Sequence, residues 1–157
     1  LREIDFDASG RLYIADGRAI RRMGTDFVVS TIAPGRSIRS TDGPVSRAGI
    51  DPQGLAVLAN GDVLFTDNDR TVRRLSAGGV VTTLAGVPLG AGSADGTGSL
   101  VRFADPWGIA VGAGGAILVA DGSESFVALA ADGHIIRSGT PGALAVPPTC
   151  TYSVFRP

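Results

Sequence analysis

The chain has 157 residues, of which 44% are hydrophobic and 18% are charged, and its formal net charge is −1. This composition supplies a packed core and excludes an intrinsically disordered chain. A nearly neutral chain has no general attraction to nucleic acid or anionic membranes, and no apolar run is long enough for a membrane span.

One segment is repeated three times along the chain. A turn glycine recurs at Gly10, Gly61 and Gly115, and an aspartate that ends a short apolar run recurs at three places, Asp16, Asp67 and Asp121. Both series advance by 51 and then by 54 residues. A period of about 50 residues built from short β-type runs is typical of propeller blades.

The middle copy predicts four strands in order, Leu55–Leu58, Val63–Thr66, Thr71–Ser76 and Val80–Ala85. Asn60-Gly61 between the first two predicts a type I′ hairpin turn. On the third strand, Val72 and Arg74 face one side and Arg73 the other. A Gly-rich loop, 86–105, follows. Four antiparallel strands and a longer crossing loop describe one blade of an all-β propeller.

The repeated pattern resembles NHL repeats. It is carried by Pro106-Trp107-Gly108-Ile109-Ala110-Val111 with its counterpart at 52–57, and by Asp95-Gly96-Thr97-Gly98 with the following Arg102-Phe103. The first linker lacks the Phe and has Ile50 near its place. The Asn-His signature that names the family is missing after all three aspartates, which puts functions of that loop in doubt.

The resemblance implies a β-propeller of NHL type with three four-stranded antiparallel blades, at about 1–51, 52–105 and 106–142, forming half of a six-bladed ring. Residues 143–157 form a Pro-rich tail or linker. Three blades leave two open edges. Further blades of a longer propeller, a second copy in a homodimer that closes the ring, or an unrelated partner or the tail would cover them.

The three aspartates have two interpretations. Each is a structural carboxylate that accepts backbone N–H groups at a strand end, or together Asp16, Asp67 and Asp121 form a ring beside a central channel and bind a cation or polar ligand. The single histidine, His134, falls in a turn on the opposite face and is a poor partner for them. We therefore predict no metal site and no cofactor.

Arg70 and Trp107 are the other candidate binding residues. Arg70 belongs to a possible basic face with Arg18 and the pairs Arg21-Arg22 and Arg73-Arg74, but neighbouring aspartates dilute its charge, so nucleic acid is an unlikely partner. Trp107 is either packed between blades or exposed as a contact anchor. Asp5 to Asp16 has the spelling of a calcium loop, which we interpret as a hairpin turn.

No catalytic residues are predicted, because one histidine cannot serve as the base for Cys150. The sequence favours a non-catalytic propeller region that presents loops, 34–51 and 86–105, to a protein or carbohydrate partner, or acts as a scaffold component. The alternative is a propeller enzyme of lyase or esterase type with a divalent metal in the channel. The compartment is not determined by the sequence, and an extracellular or secreted location is favoured only weakly.

Overall fold

The computed structural model describes residues 1–35, 39–112, 115–122, 125–129 and 135–139. In these residues there are strands and a single 3₁₀ turn, Gly98–Leu100, and none of the described segments is a helix long and apolar enough to cross a membrane. The strands form three antiparallel sheets, so the predicted all-β propeller fold is confirmed.

In the first two blades each strand pairs with its neighbour in the chain, except that the short first strand of blade 2 pairs with its last strand. Blade 1 consists of β1 (Glu3–Phe6), β2 (Leu12–Asp16), β3 (Ala19–Met23) and β4 (Val29–Pro34). Blade 2 consists of β5 (Gly43–Pro44), β6 (Pro52–Val57), β7 (Val63–Asp67), β8 (Thr71–Leu75) and β9 (Val80–Gly86), in the spatial order β5-β9-β8-β7-β6.

Blade 3 repeats the order of blade 1. Its strands are β10 (Pro106–Val111), β11 (Ile117–Asp121), β12 (Ser125–Leu129) and β13 (Ile135–Gly139). The predicted tail, 143–157, lies outside the described residues, as do His134 and Cys150.

Two details of blade 2 differ from the sequence prediction. Its first strand begins at Pro52 rather than Leu55. The blade also has a fifth, two-residue strand, β5, which pairs with β9 through Gly43 and Pro44. Because proline has no backbone N–H to offer a further strand, this addition ends the sheet at its outer edge.

The predicted type I′ turn is wrong. Gly61 N–H donates to the Leu58 carbonyl at 2.9 Å, and Gly61 has a φ of 84° while Asn60 does not enter the left-handed region. This is a type I turn followed by a glycine bulge. The Asn60 side chain accepts a hydrogen bond from Asp62 N–H at 3.1 Å, which holds Asn60 in the right-handed conformation. The same backbone pair recurs at Gly10, Gly79 and Gly115.

Burial along the second strand of each blade shows how the blades stack. Every residue of β7 is buried, whereas alternate residues are buried in β2 and β11. One core lies between blades 1 and 2 and contains Tyr13 and Phe65; the other lies between blades 2 and 3 and contains Leu64 and Val119. Only blade 2 therefore has both faces covered within the described part of the chain.

The linkers complete these two cores. Ala48 and Ile50 are buried in the first core, and Val101 and Phe103 are buried in the second. Ile50 thus supplies the apolar side chain that Phe103 supplies in the other linker. The Gly-rich linkers are therefore packed between neighbouring blades over part of their length, and only the remainder is left to form a surface.

The first strands of the three blades lie closest together. β6 contacts β1 on one side and β10 on the other, which places these strands innermost. Gly54 of β6 has no room for a side chain, because a Cβ there would clash with the Trp107 carbonyl oxygen. At Gly108, the equivalent position of β10, the nearest atom to such a Cβ would be Ala120 Cβ at 3.7 Å. Glycine is therefore required at 54 by close approach of the backbones.

Candidate functional site at the loop face

The loop face is the end of the molecule at which the second strands finish, and it comprises residues 39–51, 67–71 and 86–107. Asp67 and Asp121 are buried there, and Asp16 lies half-exposed at the equivalent place in blade 1. Asp67 accepts a hydrogen bond from Asp51 N–H at 3.0 Å, and Asp121 accepts from Ala104 and Asp105 N–H at 3.0 and 2.8 Å. Both carboxylates fix the linker that enters their own blade.

Asp16 has different partners. It pairs with Arg21 at 3.1 Å and with the N-terminal amino group at 3.4 Å. The three aspartates occupy equivalent strand ends, but burial of Asp67 and Asp121 beneath the linkers separates them from solvent. Whether any of them binds a ligand stays a prediction.

A fully buried guanidinium lies beside Asp67. Arg73 Nη1 donates to Asp67 Oδ2 at 2.7 Å and to the Gly49 carbonyl, and Nη2 donates to the Thr41 carbonyl and to Asp42. The sequence allowed Arg73 as part of a possible basic face on solvated strands; the structure excludes that position, because the side chain is fully buried. One side chain therefore joins strand β8, strand β7 and the linker between blades 1 and 2.

Asp42 extends this cluster to the outer strand. Its carboxylate accepts hydrogen bonds from Thr83 N–H and Thr83 Oγ1, both at 2.9 Å. Burial alone would raise the pKa of Asp42, but the bonds from Thr83 and Arg73 outweigh it and hold the pKa below its usual value. For Asp67 burial prevails, with the charge of Asp69 adding to it, so its pKa is raised despite Arg73.

A cavity of about 60 Å³ opens on this face. Its lining comes from both linkers and the turn after β7, namely Ser40, Ile50, Asp51, Asp67, Asn68, Asp69 and Leu89. Asp69 is only 7% exposed, and its Oδ1 accepts a hydrogen bond from Thr71 Oγ1 at 2.7 Å. Its Oδ2 is buried and has no hydrogen-bond partner among the described residues. Sequence reasoning did not single out Asp69, since its burial depends on the two linkers.

Arg70 lies on the outer side of the same turn. It has a φ of 71°, and its Nε donates to the Ala104 carbonyl at 3.0 Å. The candidate Arg70 is half-buried and connects the turn of blade 2 to the linker that enters blade 3; its part in ligand binding stays a prediction.

Trp107 is 53% exposed, and its Nε1 donates to Asp105 Oδ2 at 2.7 Å. The equivalent residues of blades 1 and 2 are Arg2 and Gln53. Arg2 reaches across to the Pro52 carbonyl of the next blade at 3.0 Å, and Gln53 is buried. Trp107 thus lies at the position from which Arg2 contacts the next blade and at which Gln53 is buried.

Blade 1 uses carboxylates along its innermost strand where the other blades have glycine and alanine. Glu3 accepts a hydrogen bond from Leu55 N–H at 3.1 Å, and Asp5 accepts from Val57 N–H at 2.8 Å. These bonds join the free edge of β6 to blade 1. Burial raises the pKa of Glu3 to about 7; the bond from Leu55 opposes this shift, and the charge of Asp5 adds to it.

Within the described residues, no group of three or more His, Cys, Asp and Glu side chains is arranged to hold a metal ion. The Asp7 carboxylate, part of the calcium-loop spelling, accepts hydrogen bonds from Ser9 N–H at 2.9 Å and Arg11 N–H at 3.0 Å. That segment is the predicted hairpin turn, closed by its own backbone.

Arg73 and Arg21 occupy equivalent positions and form a matched pair for mutagenesis. We expect Arg73→Ala to lower the free energy of unfolding by about 3–5 kcal/mol, because it leaves the Asp67 carboxylate buried without its partner. Arg21→Ala removes a half-exposed pair and should cost less than about 1 kcal/mol. Chemical denaturation of both variants measures this difference, and equal losses would contradict it.

The raised pKa of Glu3 predicts a pH effect. The folded state holds the Glu3 proton more tightly than the unfolded state, so the group's contribution to stability falls as pH rises from about 4.5 to about 7. Glu3→Gln keeps an acceptor for Leu55 N–H without the charge. Above about pH 7 the variant should have a higher melting temperature than the unmodified protein. Below about pH 4.5 the two melting temperatures should be the same. A difference that is independent of pH would contradict the assignment.

Comparison with known proteins agrees with this architecture. Residues 103–126 match the NHL repeat model. No protein of curated function matches the chain. Three of the similar solved structures are a protein of unknown function from Bacteroides thetaiotaomicron (22% identity, TM-score 0.68, 86% of this chain and 34% of that one), a streptogramin B lyase (15%, 0.62, 92% and 42%) and an auxiliary nutrient binding protein from Bacteroides ovatus (23%, 0.61, 86% and 36%).

The chain thus spans between about a third and two-fifths of the length of these proteins. At these identities the likeness concerns the fold. The resemblance first seen in the repeats is therefore confirmed at two levels: the chain has the fold of a β-propeller segment, and its third blade contains an NHL repeat.

Proposed function

We propose that this chain is a non-catalytic propeller segment whose loop face binds a protein partner. The observation that carries the proposal is the linker 86–105, which buries Val101 and Phe103 but exposes Leu89 and Leu100 at 74% and 68%. Packing of the blades accounts for the first two residues and not for the second two.

The backbone at Leu89 strengthens this proposal. Leu89 has a φ of 63°, a left-handed conformation that costs roughly 1–2 kcal/mol for a residue with a side chain. Its N–H donates to the Asp69 carbonyl at 2.7 Å, which holds the leucine at the rim of the cavity. Strain of this kind persists where surrounding structure enforces it, often at ligand-binding positions. An exposed apolar side chain near Arg70 is compatible with a protein interface, where arginine is enriched.

The open faces of blades 1 and 3 support a second part of the proposal, which is that this chain functions as part of a larger propeller. Blade 1 exposes Ile4 and Phe6 at 50% and 59% on the face turned away from blade 2. We favour further blades of a longer propeller as the cover. A second copy of the chain that closes a ring is the alternative partner, and Trp107 lies where either would make contact.

Because Trp107 is the only tryptophan, its fluorescence reports directly on that contact. In a ring closed by two copies, we expect a solution mass of twice 15.9 kDa and a blue-shifted emission that returns to the solvent-exposed value on dilution. A species of single mass with exposed emission at all concentrations would exclude closure by a second copy. Phe6→Asp, on the open face of blade 1, is the matched variant that should disrupt the same ring contact from its other side.

Photo-crosslinking tests the loop face itself. A photoreactive amino acid in place of Leu89 is expected to capture a defined protein partner in the source cells, because that side chain would lie at the centre of the contact. The matched control places the same group at Val80, which is 42% exposed on the outer strand β9.

Capture at both positions, or at neither, would contradict a specific protein contact at the loop face. A shift of mass on added oligosaccharides, with no captured protein, would instead assign the face to carbohydrate, the other partner class that the sequence favours.

The second candidate function is an enzyme of lyase or esterase type with a divalent metal in the channel. Its support is the fold shared with a streptogramin B lyase, together with the innermost carboxylates Glu3 and Asp5. Elemental analysis of the purified protein separates the candidates. One bound zinc or calcium per chain would favour the enzyme over the binding module.

A further inference from the structure

The outer edge of blade 1 carries the same groups that bind a linker on blade 2. The two blades share one strand register, with a shift at the same place in the pairing of the third and fourth strands. This register makes Arg21 the equivalent of Arg73, and Thr31 the equivalent of Thr83. Each linker contact on β9 therefore has a defined counterpart position on β4.

On blade 2 these groups hold a carboxylate. Asp42 accepts hydrogen bonds from Thr83 N–H and Thr83 Oγ1, both at 2.9 Å, and from Arg73 Nη2 at 3.0 Å. A guanidinium, a hydroxyl and an outward backbone N–H thus converge on one aspartate of the linker. Hydrogen bonds to an ionised acceptor are among the strong ones in proteins.

The residues after Asp42 add a short strand to the same edge. They form β5, which pairs with β9, and then Val45, whose N–H donates to the Gly79 carbonyl at 2.9 Å. A Cβ at Gly79 would lie 3.7 Å from Val45 Cγ2. Blade 1 has Phe27 at this place, with a φ of 62°, and it is 79% exposed. A segment added to β4 would therefore find an apolar contact already in position.

Blade 1 leaves its copy of these groups uncovered within the described part of the chain. There β4 pairs with β3 alone. Thr31 is exposed, and its Oγ1 has no hydrogen-bond partner among the described residues. Arg21 is half-exposed and uses Nε for Asp16 at 3.1 Å. Since Arg73 binds two carboxylates at once, Arg21 has the capacity for a second one.

We propose that Arg21 and Thr31 form a carboxylate-binding site on the outer edge of blade 1. Its ligand is the aspartate of an extended Asp-Gly segment that adds to β4 as a strand, a general mode of peptide recognition at an exposed sheet edge. The segment belongs to the linker of the blade that precedes blade 1 in the ring, just as 41–45 belongs to the linker before blade 2. The inference rests on the proposed larger propeller for this source.

The test uses a synthetic peptide with the sequence of residues 39–51, the linker that blade 2 already holds, and follows the backbone amide signals of the chain by NMR. We expect saturable shifts at Val29 and Thr31, and none at Gly115 in a turn of blade 3. The same peptide with Asp42→Asn should bind at least about tenfold more weakly, because it lacks the charge that Arg21 recognises.

Two variants of the chain locate the site. Arg21→Ala should weaken binding of the peptide by about tenfold, and Thr31→Val, which removes the hydroxyl with little change of shape, by about threefold. Arg22→Ala is the matched control and should leave binding unchanged. Arg22 is opposite Tyr13 on the neighbouring strand and so lies on the face turned toward blade 2.

A tethered version does not depend on the affinity of a free peptide. Residues 39–51 are fused ahead of Leu1, which is equivalent to their natural place ahead of Pro52. We expect the fusion to raise the melting temperature. Arg21→Ala should then lower the melting temperature of the fusion by more than it lowers that of the original chain, because the two sites are coupled. Equal losses would contradict the site.

Peptide shifts that never saturate, equal binding of the Asp42→Asn peptide, or binding unchanged by Arg21→Ala would overturn the proposal. Those results would leave the cross-linking experiment at Leu89, on the loop face, unaffected. Peptide binding that is lost when two copies close a ring would overturn the preceding blade as the source and give the site to the second copy. Failure of the site and failure of the proposed function are therefore distinguishable.

Discussion

A sheet with two apolar faces can bury both only between two other sheets, and this constraint governs the whole molecule. Blade 2 satisfies it: every residue of β7 is buried, and its two faces belong to two separate cores. β2 and β11 bury alternate residues, with the exposed side of blade 1 turned outward. The same constraint explains Gly54, where β6 and β10 approach too closely for a side chain. Among the described residues, the two linkers that flank blade 2 both line the cavity on its loop face.

A buried ion cluster holds the linker between blades 1 and 2 against blade 2. Arg73 binds the Thr41 and Gly49 carbonyls and the Asp67 carboxylate, so the linker is fixed by charge as well as by the burial of Ile50. Burying such a group is expensive unless each partner is in place. Blade 1 has the same pair in Arg21 and Asp16, half-exposed and without a linker over it. Blade 3 has Val127 at that position. The three blades therefore share a backbone and differ in how firmly a linker is held.

The sequence predicts the parts of this structure that depend on local pattern. The repeated glycines located the turn between the first two strands of each blade, and the repeated aspartates located the ends of the second strands, because each is required by its own hairpin. The turn type at Asn60 was wrong, since Asn60 bonds to Asp62 rather than taking a positive φ. Burial of Arg73 and Asp69, and the reach of Glu3 to Leu55, depend on segments far away in the chain. A single sequence does not give those distances, so the residues that form the cavity could not be found from it.

The turn after the second strand differs between the blades. In blade 1 two residues separate Asp16 from the next strand, whereas three residues follow Asp67 in blade 2 and Asp121 in blade 3. In the turn of blade 2, Arg70 has a left-handed conformation and Thr71 holds one oxygen of the buried Asp69. Blade 3 has Ser123 at the place of Asp69 in the sequence. A carboxylate at that place is solvated where no linker covers it, but burying it beneath the linkers is costly unless a partner compensates for the burial.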